Sequence, residues 1–420
     1  MSSTYPVAWE LLEGSLVRFA GGAAPAGGGA GSGGVLGGPA PTAVLLHGLL
    51  GRRDNLRDFA RRLLREHPAW RILLVDLPCH GAAAGHAATT TSAGAGASVT
   101  FGCGSAESVA SAARAVLGLL GELGAYPSLV VGHSLGGKVA LAMAETFAAG
   151  AAGKTAAGGA RGRLPRAAEV WVLDALPGSP RAGLDPVESS LWGDAGRAGW
   201  GPSGRTPEAG AGVPGGLALA DALQATSESR AEAGDHPRRL LTALRAAPVP
   251  VPGRTWLRER LLSDGFSDAV ARWATTSLRE AGRGGLDAQG RPCSIHGGVP
   301  GAGGTVVAGA GAPWAKSPRC LGWGVDLVGA ASLFSSYETD DLWPFVESIA
   351  PRVDNLSLHF VRAGRSVMRW GGDDAERLAA AGAEVLVLEK AGHWVHADDP
   401  AGLAGLMSSA FAAHGPVGVR

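Results

Sequence analysis

The sequence predicts an α/β fold: a mostly parallel central sheet flanked by helices, carrying a helical cap and interrupted by several Gly/Ala-rich inserts. Three observations carry that expectation. Short apolar, partly β-branched runs alternate with helical patterns along the chain, which is the signature of a parallel sheet built from strand–helix–strand units. One of those runs, Ser128-Leu129-Val130-Val131, enters Gly132-His133-Ser134-Leu135-Gly136 and leaves through Gly137 to Glu145, a stretch made mostly of helix formers. Two further strand–helix pairs return after residue 350, behind a long interruption, so the sheet is completed by the C-terminal part of the chain.

Taken in order, Val7 to Leu12 and Leu16 to Phe19 flank Gly14-Ser15 and predict a β-hairpin with Gly at the first turn position. Ala43 to Leu46 is a buried strand running into His47-Gly48-Leu49-Leu50-Gly51. Asp54 to Glu66 places Leu56, Phe59, Leu63 and Leu64 on one helical face. Arg71 to Asp76 is the next strand, followed by Leu77-Pro78-Cys79-His80-Gly81. Ser105 to Leu123 returns to a helical pattern before the Ser134 turn. Val170 to Leu173 is a strand ending in Asp174. Beyond it, Arg238 to Ala246, Arg254 to Ser263 and Ser267 to Arg279 predict three helices, with Asp235 and Ser267 as N-caps, and Leu333 to Tyr337 and Asp340 to Ile349 two more. Leu356 to Val361 and Glu384 to Leu388 are the last strands, with a helix from Glu376 to Ala381 between them. Asp399 caps the final helix, with Pro400 at its first position. The organisation expected is therefore a core over 1–177, a helical cap over 178–350 and the rest of the core over 351–420. Disorder is expected in Gly/Ala-rich inserts at about 21–41, 82–104, 149–168, 178–235 and 281–318.

Composition limits the function. Of 420 residues 67 are Gly, so the folding part is shorter than the length suggests. Lys plus Arg (37) balance Asp plus Glu (37) with no block of like charge, which argues against a nucleic-acid partner or a polybasic membrane surface. The four cysteines lack metal-ligand spacing, and Cys293-x-x-His296 is read as a loop coincidence. No transmembrane helix is expected, and Glu10 and Glu13 argue against a signal or transit peptide. We expect an intracellular protein, cytoplasmic or organellar, of undetermined oligomeric state.

A serine held between a buried strand and a helix sits on a strained turn with Oγ exposed, and Gly132 and Gly136 let strand and helix approach around it. Acyl transfer needs such a nucleophile, a base to take its proton and an acid to orient the base. Ser134 is the nucleophile and His393, presented by Gly392 after the last strand, the base, with His396 its rival. Chain neighbours on a sharp turn point apart, so His133 is expected to shape the site or pack beneath it. The acid is open between two places: Asp174, after the strand following the Ser134 helix, is preferred, and Asp373 or Asp374, beyond the next strand, is the alternative.

At His47-Gly48-Leu49-Leu50-Gly51, Gly132 to Lys138 and Gly392 to Pro400 the chain resembles one branch of the α/β-hydrolases, that of the YbfF-type esterases and ABHD11-like proteins with their plant and algal relatives. Trp171 to Gly178, Gly265-Phe266-Ser267 and Trp323 to Leu327 extend the likeness, which skips every Gly/Ala tract. The resemblance implies hydrolysis of small or short-acyl carboxylic esters, a helical cap and no cofactor. It implies an oxyanion hole from the N–H groups of Leu49 and Leu135, with His47 and Gly48 shaping that loop and Asp76 and His80 bracing it. YbfF-type members take their acid where Asp174 stands. Plant-type relatives carry an Asp where this chain has Val367 or Met368. The readings left open are a thioesterase, a C–C hydrolase or lyase using the same triad, and a non-catalytic binding or scaffold protein that keeps the pocket.

Overall fold

The computed structural model describes residues 7–20, 40–84, 88–90, 99–101, 107–151, 169–179, 235–280, 321–366 and 370–415. Most of the stretches expected to be low-complexity inserts lie outside these residues, as do Cys103, Cys293, His296, Cys320, Val367 and Met368.

Among the described residues seven strands form the central sheet: β1 (Ala8–Glu13), β2 (Thr42–Leu46), β3 (Arg71–Asp76), β6 (Leu129–His133), β7 (Glu169–Leu173), β10 (Ser357–Ala363) and β11 (Glu384–Leu388). Their spatial order is β1-β3-β2-β6-β7-β10-β11, every pair parallel except β1 with β3. All residues of β2 and β3 are buried, the mark of central strands covered on both faces. Each fully buried Leu or Ile there contributes roughly 1.5–3 kcal/mol from removing apolar surface from water. Two small pairs lie outside the sheet: β4 (Ala88–Thr90) with β5 (Val99–Phe101), inside the stretch read as a second insert, and β8 (Leu278–Glu280) with β9 (Leu321–Trp323).

Helices α2 (Arg53–Glu66) and α11 (Pro400–Ala413) cover one face, where Leu63, Ile72, Trp171 and Phe411 share an apolar cluster. The Trp70 indole N–H donates to the Phe411 carbonyl at 3.1 Å and fastens α11 to the start of β3. On the other face α3 (Val109–Leu123) and α4 (Leu135–Ala151) pack against the sheet. Their apolar cluster continues without a break into α5 (Pro237–Ala246), α6 (Arg254–Ser263), α7 (Asp268–Thr275) and α8 (Leu327–Thr339), through Leu244, Leu257, Trp323 and Leu333. These inserted helices, the cap, are also tied to the C-terminal ends of the strands by backbone bonds: Gly81 N–H to Gly324 O (3.0 Å), Asp326 N–H to Cys79 O (2.8 Å) and Leu342 N–H to Pro177 O (3.1 Å).

The N-terminal hairpin does not form. Residues Ser15–Ala20 are a helix, α1, and β1 pairs instead with β3. Gly14 marks a crossing: its N–H bonds to Trp70 O, and a Cβ there would stand 2.2 Å from the Pro68 carbonyl oxygen. Three cap expectations are also corrected. The helix begun at Ser267 stops at Thr275, because Leu278–Glu280 pairs with β9; Ser267 itself caps it, accepting from Val270 N–H. The N-cap of α5 is His236, while the Asp235 carboxylate accepts from Ser267 N–H at 2.7 Å. Asp340 ends α8 as its C-cap, and the helical stretch expected from there starts only at Trp343, running through a π-type turn, Phe345–Ile349, into a 3-10 turn, Ala350–Arg352. The two last strands, the helix between them (α9, Asp374–Ala380) and the Asp399–Pro400 cap of α11 stand as expected.

Candidate active site

Ser134 lies between the end of β6 and the start of α4 with φ at +52°, a left-handed conformation that a serine holds only when its surroundings enforce it. Its N–H is fixed to Leu173 O at 2.8 Å. The two glycines around it are required by contact. A Cβ on Gly132 would lie 2.1 Å from Gly136 O, and one on Gly136 would lie 2.6 Å from both Leu46 O and His47 O. The strand, the helix and the loop after β2 therefore meet backbone to backbone around this serine.

Asp174 follows β7, one strand along, also at positive φ (+49°), and is fully buried. It accepts from His393 Nδ1–H at 2.7 Å, from the Ala363 N–H at 3.1 Å and from the Ser366 hydroxyl. With Nδ1 so occupied, Nε2 is the nitrogen of His393 left to take up a proton. Asp373 and Asp374 stand elsewhere, at the start of α9, where Asp374 turns its carboxylate to the Gly371 N–H; among the described residues neither bonds an imidazole. His396 lies on the short helix α10 (Val395–Asp398), buried, its ring 4.9 Å from that of His133 and its Nδ1 without a hydrogen-bond partner among the described residues. Gly392 N–H bonds to Asp398 Oδ2 at 2.9 Å, which folds the His393 loop back on α10.

His133 does pack beneath the site. Its Nε2–H donates to the His393 carbonyl at 2.7 Å, and the two rings lie 4.7 Å apart. Burial first, then the neighbouring imidazoles, hold its pKa well below the usual histidine range, so it is a neutral spacer between the serine turn and the His393 loop. Gly48 comes so close that a Cβ would stand 2.9 Å from His133 Nδ1 and 3.3 Å from Ser134 Cβ. The loop carrying Leu49 therefore abuts the serine. Among the described residues neither the Leu49 nor the Leu135 N–H has a backbone acceptor.

That loop is held by two histidines in a reciprocal arrangement. His47 donates from Nδ1 to Gly48 O (2.8 Å) and accepts at Nε2 from Leu77 N–H (3.0 Å). His80 donates from Nδ1 to Pro78 O (2.8 Å) and accepts at Nε2 from Leu50 N–H (3.0 Å). Each imidazole must be neutral to fill both roles. Burial drives the pKa of His47 down to about 4 and, with the His47 ring beside it, that of His80 to about 3. Asp76 completes the brace: its carboxylate accepts from Arg53 N–H, Ala82 N–H and the Arg53 guanidinium at 2.7, 3.0 and 3.0 Å.

Three further groups escaped the sequence. Ser366 gave only a polar loop position. Tyr337, on α8, is buried with its phenol within hydrogen-bonding reach of the Ser134 side chain, and nothing in its local sequence sets it apart. Lys138 stands in Gly136-Gly137-Lys138 and could have been marked as a cation in the apolar first half of its helix; it is fully buried. Among the described residues no cluster of three or more His, Cys, Asp or Glu could hold a metal ion, and no helix is long and apolar enough to cross a membrane.

Comparison with known proteins agrees with this architecture. A family model described as alpha/beta hydrolase fold matches residues 41–158. Among solved structures, an esterase from a marine microorganism superposes with a TM-score of 0.52 at 13% identity, covering 96% of this chain and 99% of its own. An esterase from M. tuberculosis (17% identity, 90% and 87% covered, TM-score 0.46) and an enol-lactonase from Burkholderia xenovorans (14%, 97% and 96%, TM-score 0.44) are also similar. A search of curated proteins finds no match. The chain has the α/β-hydrolase fold.

Proposed function

We propose that this protein is a serine hydrolase that cleaves a carboxylic ester or thioester of a small or short-acyl substrate through an acyl-enzyme on Ser134. The observation that carries the reading is the 2.7 Å bond between His393 Nδ1 and the buried Asp174, on the loops that surround a serine held at positive φ. Ser134 Oγ attacks the acyl carbonyl while its proton passes to His393 Nε2, and Asp174 stabilises the imidazolium that forms. The Leu49 and Leu135 amides receive the developing oxyanion. The imidazolium then gives its proton to the leaving alcohol or thiol. Water, activated by the same nitrogen, attacks the acyl-enzyme and releases the acid and Ser134. No cofactor enters this scheme.

We assign the acid to Asp174 over Asp373 and Asp374 because only Asp174 bonds the imidazole among the described residues. The motifs also favour the YbfF-type and ABHD11-like branch. A binding protein that merely kept the pocket would have no use for a buried carboxylate aimed at His393.

The test is hydrolysis of p-nitrophenyl acetate and butyrate, with fluorophosphonate labelling. Ser134→Ala abolishes both, and Asp174→Asn lowers kcat by about 10³- to 10⁴-fold, the scale for a triad acid. The Asp373→Asn/Asp374→Asn double variant keeps wild-type turnover. Loss confined to that double variant would move the acid; absence of Ser134-dependent turnover and labelling would point to a binding protein.

A further inference from the structure

The hydrolytic scheme leaves unused a group that touches its nucleophile. Tyr337 belongs to α8, in the cap, yet its phenol lies within hydrogen-bonding reach of the Ser134 hydroxyl. Burial first, and then the charge of Asp174, push its pKa up, so the phenol stays protonated whenever the base is competent.

Two contacts seat it. Its ring stacks on Phe334, one helical turn back, with centroids 5.7 Å apart. Its backbone carbonyl accepts from Lys138 Nζ at 2.7 Å, and the same ammonium donates to Gly178 O at 2.9 Å and lies 5.1 Å from the Tyr337 ring centroid. Lys138 stands four residues after Ser134 on the nucleophile's own helix, and Gly178 four after Asp174. One buried cation thus links the serine helix, the Asp174 loop and the cap residue that meets the serine. Placing an ammonium there is costly, and burial lowers its pKa to about 8. An aliphatic side chain would fill the space without that cost, so the placement of two carbonyls is what the lysine adds.

Two facing hydroxyls can share their hydrogen bond in two ways. If Ser134 donates to the phenol, its proton points away from the base. If the phenol donates to Oγ, the serine proton is free to point at His393 Nε2. Resting on the serine-hydrolase reading, we propose that Tyr337 is a catalytic residue supplied by the cap: its phenol donates to Ser134 Oγ and orients the serine O–H toward His393, while Lys138 is the positioning residue that seats it. In the attack, the Oγ lone pair forms the bond to the acyl carbon, the serine proton goes to His393 Nε2, and Tyr337 keeps its own proton throughout.

Tyr337→Phe removes the hydroxyl and keeps the ring. In the full chain it lowers kcat on p-nitrophenyl acetate and the fluorophosphonate labelling rate by about 10-fold, the worth of one well-placed hydrogen bond, with KM within about twofold and an unchanged melting temperature. Lys138→Met lowers both rates similarly, and the double variant is no slower than Tyr337→Phe, because the lysine acts through the phenol. Full activity in Tyr337→Phe, where wild-type turnover depends on Ser134, overturns this proposal and leaves the hydrolase reading standing. A lowered melting temperature that accounts for the lost rate overturns it as well. Losses that multiply in the double variant, or a Lys138→Met chain that does not fold, overturn the positioning role. A wild type lacking Ser134-dependent labelling removes both readings.

Discussion

Acidification should loosen this protein well before its carboxylates titrate, through the pair of histidines that brace the loop after β2. His47 and His80 each accept a backbone N–H at Nε2, so a proton there sets two donors against each other. Their folded-state pKa values, about 4 and about 3, lie below the 6.5 of a free imidazole. Between those values and 6.5 the unfolded chain binds protons that the folded chain refuses. The stability these residues contribute is therefore complete above about pH 6.5 and is lost as pH falls, levelling off only below about pH 3–4. The slope is half its full value of about 1.4 kcal/mol per pH unit for each group at pH 6.5 and nearly complete at pH 5, so the pair removes roughly 3 kcal/mol between those values. That is a large share of the ~5–15 kcal/mol typical of a folded domain. The assay is urea unfolding at half-unit steps from pH 7.5 to 5, on wild type and on His47→Gln/His80→Gln. Glutamine keeps an acceptor near the reach of Nε2 but does not titrate in this range. Taking the difference between the two proteins cancels His133, His396 and Asp76, which titrate in both. The variant should be less stable at pH 7.5 and should show a slope shallower by up to about 3 kcal/mol per pH unit. Equal slopes would refute the reasoning.

Two other outcomes follow from the geometry. Gly132→Ala places a methyl group 2.1 Å from Gly136 O, a backbone atom that cannot turn aside; we expect a loss above about 3 kcal/mol or an insoluble chain, measured as soluble yield and Cm. At the opposite ends of the strands, burial alone would lower the His359 pKa, but its ion pair with Glu169 (3.2 Å) and its hydrogen bond with Glu384 (2.7 Å) outweigh it and raise the pKa. Its contribution is full below pH 6.5 and is lost as pH rises through the raised value, so His359→Gln should flatten the decline in melting temperature between pH 6.5 and 9.

Much of the fold was legible because its strands are short, apolar and β-branched and alternate with helical patterns; β2, β3, β6, β7 and β11 fall within one or two residues of their expected limits. The register of Asp174 and His393 follows from where those strands end, which a linear reading can locate. The partner of β1 could not be read, since its hydrogen bonds go to β3, about sixty residues away, and Gly14 serves a crossing rather than a turn. Asp235 looked like an N-cap because caps are local, yet its carboxylate is taken by Ser267 from another helix. Tyr337 and Ser366 were invisible for the same reason: each acts across roughly two hundred residues of chain, on Ser134 and Asp174 respectively.

The unbroken apolar cluster between α3, α4 and the cap bears on how far the cap can move over Ser134. A lid that swings clear needs a seam it can part along, and here the seam is filled with Leu244, Leu257, Trp323 and Leu333 and crossed by the Lys138 bonds. Parting it would expose core and strand two carbonyls, an event close in cost to unfolding that face. The amides of α5 and α8 should therefore exchange with solvent in one cooperative unit with those of α3 and α4, at rates set by global opening. Beside His393, Trp394 and Trp273 of the cap lie with ring centroids 5.6 Å apart and add an aromatic contact between cap and core.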